Sequence, residues 1–434
     1  SVKIYCIGSE DEIKGDSLLF FNKCREDNIP IEYGKKVKAT SHPDLIIDAI
    51  VGVGLNGTLR RYLVPIFEFI NRAKCPVLSV DIPSGLDSNT GERSLPCIKA
   101  DVTASFFAPK LGMQLRNGPE HTGRVLIKDI GIPPLKKFQI PGLNWQLTSK
   151  SLVENFFQKT KKTIDKYEAG RVLVIAGSVG MSGAAILSTY GALRSGAGLT
   201  LTTSPSSMNA IYEQTIIEGI TLSLDDDGRG FLKNEHYDII MEKVQWADSV
   251  LMGPGLGRES STQELILRLF YDINKPLILD ADGLYPFKNN FDRLYQRKYP
   301  LLITPHFLEL SRLIGISKDK IISNFVEIST NIIAPLPIVT LIKQVPSCIC
   351  YDKQIRLNTK GNQGLATAGT GDVLSGVIAS IVAQGLNCFD GATVGAYVHG
   401  EASDILIKKK GIRGQIASDL LDTIPSVIKS YEKS

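Results

Sequence analysis

Residues 361–385 read GNQGLATAGTGDVLSGVIASIVAQG, which sets Gly361, Gly364, Gly369 and Gly371 ahead of Asp372 and an apolar run. The run VLSGVIASIVAQ reads as a helix, so Asp372 falls at a helix start. Glycines there let backbone amides turn toward one point, and the helix end adds about half a positive charge. The product is an anion hole fit for a phosphate. A carboxylate beside it suits a general base acting on a hydroxyl while charge moves through phosphate. A glycine turn capped by Asp would use the same residues, so G-x-G-D alone leaves both uses open.

Other stretches place polar residues just after apolar runs. GPGLG (253–257) bares backbone to a ligand, and LILDADG (277–283) and LLITPH (301–306) follow it. GSVGMSGAAILSTYGALRSGAG (177–198) is a small-residue loop feeding a helix that can pack closely. His306 follows Pro305 and a strand, which fixes it toward a crevice. Lys343 closes IVTLIK, where a cation meets phosphate or solvates the edge. Earlier in the chain, VDIPSGLDSNTGE (80–92) puts Asp81 at a strand end before a Pro-Ser-Gly turn, and Asp48 precedes AIVGVGLNG. These two carboxylates, with Ser84 and a glycine loop, can hold a cation and a polar ligand. An ordinary α/β loop edge would look the same.

The elements that must position these residues alternate. VKIYCIG, DLIIDAIVGVG, PVLSVDIPSG, DVTASFFA and RVLIKDIGI predict strands, and Asp16–Asp27 and Tyr62–Ala73 predict helices. Val- and Ile-rich strands alternating with helices predict a parallel sheet with both faces covered. Residues 133–150, PPLKKFQIPGLNWQLTSK, hold three prolines and no apolar period, and mark a domain boundary. A second α/β series begins at RVLVIAGS (171–178) and runs through GLTLTTS, DSVLMGPGLG, PLILDADG, PLLITPH, IVTLIKQ and SCICYD. Ligands of open α/β sheets sit outside the carboxyl ends of strands, where the polar residues of both halves fall.

The 434 residues exceed one core, so two or three domains are expected. A net charge of +4 argues against a nucleic-acid partner, which calls for a basic face. Seven cysteines without metal-ligand spacing predict free thiols in a reducing, cytoplasmic setting. No apolar run reaches membrane-spanning length, so no membrane partner is expected. The chain opens SVKIYCIGS, already inside an expected strand and without an initiator Met, as a fragment or a processed chain would.

Taken in order, GRVLVIAGS, GAAILSTYGALRSGAG, GPGLG, TPH and GNQGLATAGTGDVLSG resemble the dehydratase domain of NAD(P)H-hydrate repair enzymes, within the ribokinase-like superfamily. The resemblance implies a ribokinase-like three-layer α/β/α domain over 145–434. It implies an ADP-dependent enzyme, with ATP the less expected nucleotide, that dehydrates (S)-NADHX or (S)-NADPHX to NAD(P)H, giving AMP and phosphate with Mg2+. By it, Ala184, Gly255, His306 and Asp372 contact the hydrate, Asp372 being catalytic, and Lys343, Gln344, Val345, Pro346, Ser347 and Gly371 hold the nucleotide. Asp165-Lys166-Tyr167 stands where the family has His-Lys-Gly, Phe307-Leu308 where it has Pro-Gly, and Gln344 where it has Gly. DAIVGVGL, VDIPSGLDSNTG, FFAPKLGM and IKDIGIP resemble the epimerase domain of the same enzymes, implying a partial Rossmann-like domain over 1–140. By that match Asp48 and Ser84 ligate K+, residues Gly52, Val53, Gly54, Leu55, Asn56, Gly57 and Thr58 line the substrate, and Asp81 contacts it as acid or base. The family's first helix and its Asn-Asn-Gly-Gly-Asp loop do not occur in residues 1–140, so epimerase activity is expected to be absent or weak. Relatives assemble, so a homo-oligomer is expected. A ribokinase-like small-molecule kinase and a non-catalytic nucleotide-binding protein are the alternative functions.

Overall fold

The computed structural model describes residues 2–34, 43–54, 59–133, 144–157 and 161–432. The chain divides into two compact units, residues 1–141 and 142–434.

In the first unit, β1 (Ile4–Cys6) pairs in parallel with β2 (Ile31–Tyr33) as a sheet of its own. The strands β3 (Ile46–Asp48), β4 (Val77–Val80), β5 (Val102–Phe106) and β6 (Arg124–Lys128) form a parallel sheet in that order. The predicted helices appear as Asp16–Glu26 and Val64–Arg72. The second starts two residues later than expected because Pro65 is tolerated only in a first turn, and a 3-10 turn, Arg61–Leu63, leads into it. Its Ile66, Phe67 and Ile70 lie on one face and pack with Leu63, Val77 and Ile98. That apolar contact fixes the ends of β3 and β4, and with them Asp48 and Asp81.

The second unit is built on one ten-stranded sheet. Its strands are β7 (Trp145–Leu147), β8 (Arg171–Ile175), β9 (Leu199–Pro205), β10 (Ile220–Leu224), β11 (Ser249–Met252), β12 (Leu277–Leu279), β13 (Leu301–Ile303), β14 (Val339–Ile342), β15 (Cys348–Tyr351) and β16 (Gln354–Leu357). They lie in the order β10-β9-β8-β11-β12-β13-β14-β15-β16-β7, parallel from β10 to β14, with β15 antiparallel to both neighbours. The central strands are buried on both faces, which is why they read as unbroken apolar runs.

The period of two sorts those runs between two cores. Leu173, Ile175, Met252, Leu279 and Ile303 pack under Ile266 and Phe270 on one face. Val172, Val174, Leu251, Ile278 and Leu302 pack under Ala185, Ile378 and Ala392 on the other. Helices therefore cover both faces, an α/β/α sandwich. Two helices on the second face, Ser182–Arg194 and Thr370–Ala383, meet backbone to backbone. A Cβ on Gly376 would stand 2.0 Å from the Ser188 carbonyl oxygen, and one on Gly191 2.6 Å from that of Val373. Only glycine permits this approach, and it sets where the second helix begins. No helix among the described residues is long and apolar enough to cross a membrane.

Candidate functional site

The carboxyl ends of β11 to β14 and the start of helix Thr370–Ala383 bring five polar side chains into one cluster. Asp280 ends β12 and is buried, 1% exposed at its side chain. Its Oδ1 accepts from the Ala281 amide at 2.8 Å and from Lys343 Nζ at 2.6 Å. Its Oδ2 is buried and has no hydrogen-bond partner among the described residues. Ala281 takes φ +48°, a left-handed conformation costly for a side-chain-bearing residue and concentrated at functional sites. That turn sends Asp282 the other way, where its Oδ2 accepts from the Gly257 amide at 3.1 Å and its Oδ1 from Arg258 Nε at 3.3 Å.

Lys343, closing β14, reaches the helix start. A Cβ on Gly371 would come within 3.4 Å of its ammonium. Burial works against the charged form of Lys343, but Asp280 and Glu309 outweigh it and raise its pKa. A cation held beside a helix N-terminus favours a further anion there, such as a phosphate. The amides of Gly371 and Asp372 likewise have no acceptor among the described residues.

Asp372 stands in that first turn. The helix N-cap, Gly369, has φ +88°, and a Cβ there would press on Leu187. The Asp372 carboxylate takes no hydrogen bond from the described residues. Burial, then the negative charge of Asp280, pushes its pKa up to about 7, while Lys343 pulls it down and Asp282 and Glu309 push further up. A carboxyl group that titrates near neutral pH beside orphan amides is a poised base. Behind the turn, His399 is buried, its Nε2 unpartnered, and burial lowers its pKa to about 4, so the ring is neutral.

His306 is exposed and serves as a helix N-cap. Its Nδ1 accepts from the amides of Leu308 at 3.1 Å and Glu309 at 3.2 Å, while Glu309 accepts from the His306 amide at 2.9 Å. This capping box replaces the start that Pro-Gly would give at 307–308 and fixes the ring at the rim of the cluster. Ala184 meets the GPGLG loop: a Cβ on Gly255 would lie 2.9 Å from the Ala184 Cβ, and Gly255 has φ +60°. Of the candidate nucleotide segment, Val345 is half exposed, and Ser347 donates to the Gln344 carbonyl oxygen at 2.9 Å. Asp280, Asp282 and Glu309 were not singled out from sequence as site residues. Asp280 and Lys343 are 63 positions apart, and only the parallel register of β12, β13 and β14 joins them.

The first unit carries a second cluster. Asp48, buried at the end of β3, accepts from Ser79 Oγ at 2.8 Å, the Ser84 amide at 2.9 Å and Ser84 Oγ at 2.5 Å. Ser84 Oγ also lies 3.2 Å from the Val51 carbonyl oxygen and accepts from the Val51 amide at 2.9 Å. One hydroxyl hydrogen cannot serve both Asp48 Oδ1 and the Val51 carbonyl, so these two and Ser84 Oγ converge with one hydroxyl hydrogen among them, beside the Val51 amide on Ser84 Oγ and the Ile50 amide at 3.4 Å from Asp48 Oδ1. That donor set suits a hard, weakly demanding cation. Asp81 has φ +66° and accepts from the Phe106 amide at 3.0 Å and from Lys110. Lys110, from FFAPKLGM, also donates to Ser105 Oγ at 3.1 Å and was not singled out from sequence. Gly52, Val53 and Gly54 are open to solvent or nearly so, with nothing within 4 Å of a Cβ on either glycine. Leu55, Asn56, Gly57 and Thr58 lie outside the described residues.

Comparison with known proteins bears on both clusters. Residues 172–426 match the family model described as NAD(P)H-hydrate dehydratase, and residues 1–112 match that of the YjeF-related protein N-terminus. The bifunctional NAD(P)H-hydrate repair enzyme of Moorella thermoacetica is 33% identical over 440 residues, covering 100% of this chain and 83% of the relative. The Escherichia coli enzyme of that name is 30% identical, covering 89% of this chain and 72% of the relative. Among solved structures, the ADP/ATP-dependent NAD(P)H-hydrate dehydratase of Bacillus subtilis, co-crystallized with ATP/Mg2+, superposes with a TM-score of 0.56 at 25% identity, over 67% of this chain and 100% of that one. A ribokinase-like superfamily protein of Enterococcus faecalis gives 0.57 at 24% identity, over 69% and 99%.

Proposed function

Because the chain belongs to the family of bifunctional NAD(P)H-hydrate repair enzymes, we propose that Asp372 is the base with which its dehydratase unit, residues 145–434, returns hydrated NADH and NADPH to the parent coenzymes. The observation that carries this is a carboxyl group with a pKa of about 7, beside the Lys343 ammonium and the amides of a helix start, with no hydrogen-bond donor to the carboxyl and no acceptor for the amides among the described residues.

The hydrate places its ring against Ala184, Gly255 and His306, with its hydroxyl at Asp372. The adenine nucleotide, ADP in preference to ATP, lies along Lys343, Gln344, Val345, Pro346 and Ser347 with its terminal phosphate at Gly371. Asp372 takes the hydroxyl proton as that oxygen attacks the terminal phosphorus, and the leaving nucleotide keeps the bridging oxygen. Lys343 and the amides of Gly371 and Asp372 meet the charge on the moving phosphoryl group. The ring nitrogen then expels the phosphate from the adjacent carbon, a neighbouring carbon loses a proton, and the ring double bond returns. With ADP the products are AMP, phosphate and NAD(P)H. Asp280 Oδ2, buried without a partner among the described residues, is the group that would hold a Mg2+ ion accompanying the nucleotide. When bound, the ion would supply positive charge against the phosphates.

The test is recovery of the dihydronicotinamide absorbance band. Pure protein is mixed with (S)-NADHX and Mg2+, then ADP, ATP or neither. Recovery with ADP, slower with ATP and absent without nucleotide, is expected; nucleotide binding with no recovery under any condition would sink the proposal.

For residues 1–140, an epimerase-like domain without the family's first helix and Asn-Asn-Gly-Gly-Asp loop, we propose Asp81 as the proton-transfer group, held and charge-balanced by Lys110, with a K+ ion at Asp48, Ser84 and the Val51 carbonyl. The substrate lies along residues 52–58. R-to-S exchange, followed by chromatography, is expected to be slow or absent in wild type, as residues 1–140 hold no Asn-Asn-Gly-Gly-Asp loop, and Asp81→Asn is expected to abolish whatever exchange wild type shows while leaving dehydration of the S form intact. An unchanged exchange rate would remove Asp81 from the chemistry.

A further inference from the structure

Beside the Asp372 cluster lies a cleft lined by Arg258, Ala281, Tyr285, Lys288, Glu309 and Arg312. Three of these side chains are cationic. Arg258 pairs with Asp282 at 3.3 Å and lies over the Tyr285 ring, 4.7 Å from its centroid. Lys288 and Arg312 have no ion-pair or hydrogen-bond partner for their side chains among the described residues. Glu309 turns its carboxylate back to the His306 amide and ring, at 2.9 Å and 3.5 Å. The cleft's one carboxylate therefore faces the cap, and two of its three cations, Lys288 and Arg312, have no counter-ion among the described residues.

The cleft is continuous with the reaction site through named contacts. Asp282 ties Arg258 to the Gly257 amide of the GPGLG loop, and Gly255 of that loop rests on Ala184. Glu309 joins the cleft to His306. The carboxylates of Asp282 and Glu309 are close enough to act on Asp372 electrostatically. The hydrated ring occupies only the inner part of such a site. The rest of the substrate is a dinucleotide carrying a pyrophosphate, with a 2′-phosphate in the NADPHX form, and these anionic groups call for cationic partners outside the Asp372 cluster.

We infer that the cleft binds the phosphate groups of the hydrated dinucleotide, with Lys288 and Arg312 as their charge partners and the Arg258–Tyr285 stack as the wall beside them. Guanidinium forks match phosphate oxygens two at a time, and a lysine adds a point charge. Placing the substrate's phosphates here leaves the Lys343 and helix-start position to the phosphates of the adenine nucleotide. The two anionic ligands of one reaction are thereby kept apart. This inference rests on the dehydratase proposal above.

The test is the double variant Lys288→Gln, Arg312→Gln, with Lys288 exposed and Arg312 half-buried, and a thermal midpoint close to wild type checks that the variant is folded. KM is measured for NADHX, NADPHX and the adenine nucleotide, at low and high salt. The hydrate KM is expected to rise roughly tenfold or more per lost charged contact. The value of kcat and the nucleotide KM should stay within about twofold, and the salt dependence of the hydrate KM should flatten. A rise for both hydrates places the pyrophosphate in the cleft, and a rise confined to NADPHX places the 2′-phosphate there; both support the inference. Unchanged hydrate KM values, or a rise in the nucleotide KM instead, overturn it. If the wild-type chain shows no dehydration, the dehydratase proposal has failed on its own. Equilibrium binding of NADPH to wild type and variant then decides this inference separately, equal affinities overturning it.

Discussion

Asp372→Asn is expected to cut dehydration at least about a thousandfold, the upper part of the range for loss of a general base. The amide keeps the shape of the carboxylate and its place at the helix start, so nucleotide and hydrate should still bind. The loss should fall on kcat. Wild type should show the same group in its pH profile. A base works ionised, and burial with the Asp280, Asp282 and Glu309 carboxylates holds Asp372 protonated up to about pH 7, against the pull of Lys343. Turnover per free enzyme, kcat/KM, should therefore fall about tenfold per unit below pH 7 and level off above it. A variant retaining wild-type kcat, or a profile flat from pH 5 to 8, would exclude Asp372 as the base.

Lys343→Met should damage stability and chemistry together. Its partner Asp280 is buried, and one of its oxygens already lacks a donor. Removing the ammonium at 2.6 Å leaves an uncompensated buried carboxylate, at a cost of about 3–5 kcal/mol. The same change removes the cation that lowers the Asp372 pKa, so any residual activity should need a more alkaline pH than wild type. Nucleotide affinity should fall with the charge at Gly371. The second-site change Asp280→Asn separates these effects. It should restore most of the thermal midpoint, because a neutral amide needs no counter-charge, and it should restore little turnover. If Lys343→Met melts with wild type, the pair is not worth what its burial implies. If the double variant recovers turnover, Lys343 acts only through Asp280.

How much of this was legible beforehand follows from distance along the chain. Asp372 was visible because everything that gives it character is local: four glycines before it and an apolar helix after it. The two-sided sheet was visible because β8, β11, β12, β13 and β14 spell their burial as unbroken apolar runs. Asp48 and Asp81 were visible as polar residues closing such runs. Asp280–Lys343 was not, since a bond between strand ends in separate α/β units follows from sheet order rather than from spacing. Lys110 was hidden for the same reason. It sits inside a quoted motif, yet its contact with Asp81 spans 29 positions. His306 looked like a ligand because of its place after Pro305. That its Nδ1 caps the next helix depended on Glu309 three residues on, a capping-box signal that was present in the sequence. The cations of the Arg258 cleft lie on three segments and share no motif.

The contact at Gly191 and Gly376 bears on how accurately this chain can hold the Asp372 carboxylate. Side-chain packing has slack, because rotamers can shift to absorb an error; two carbonyl oxygens seated where methyl groups would otherwise stand have none. Asp372 lies one turn upstream of Gly376 on the same rigid rod, so its position is set by a main-chain stop rather than by a fitted core. Such a stop is tight by construction and cannot be retuned by exchanging neighbouring residues. A lineage that improved or altered this activity would have had to do it in the loops that bring substrates to Asp372, leaving the carboxylate where it is.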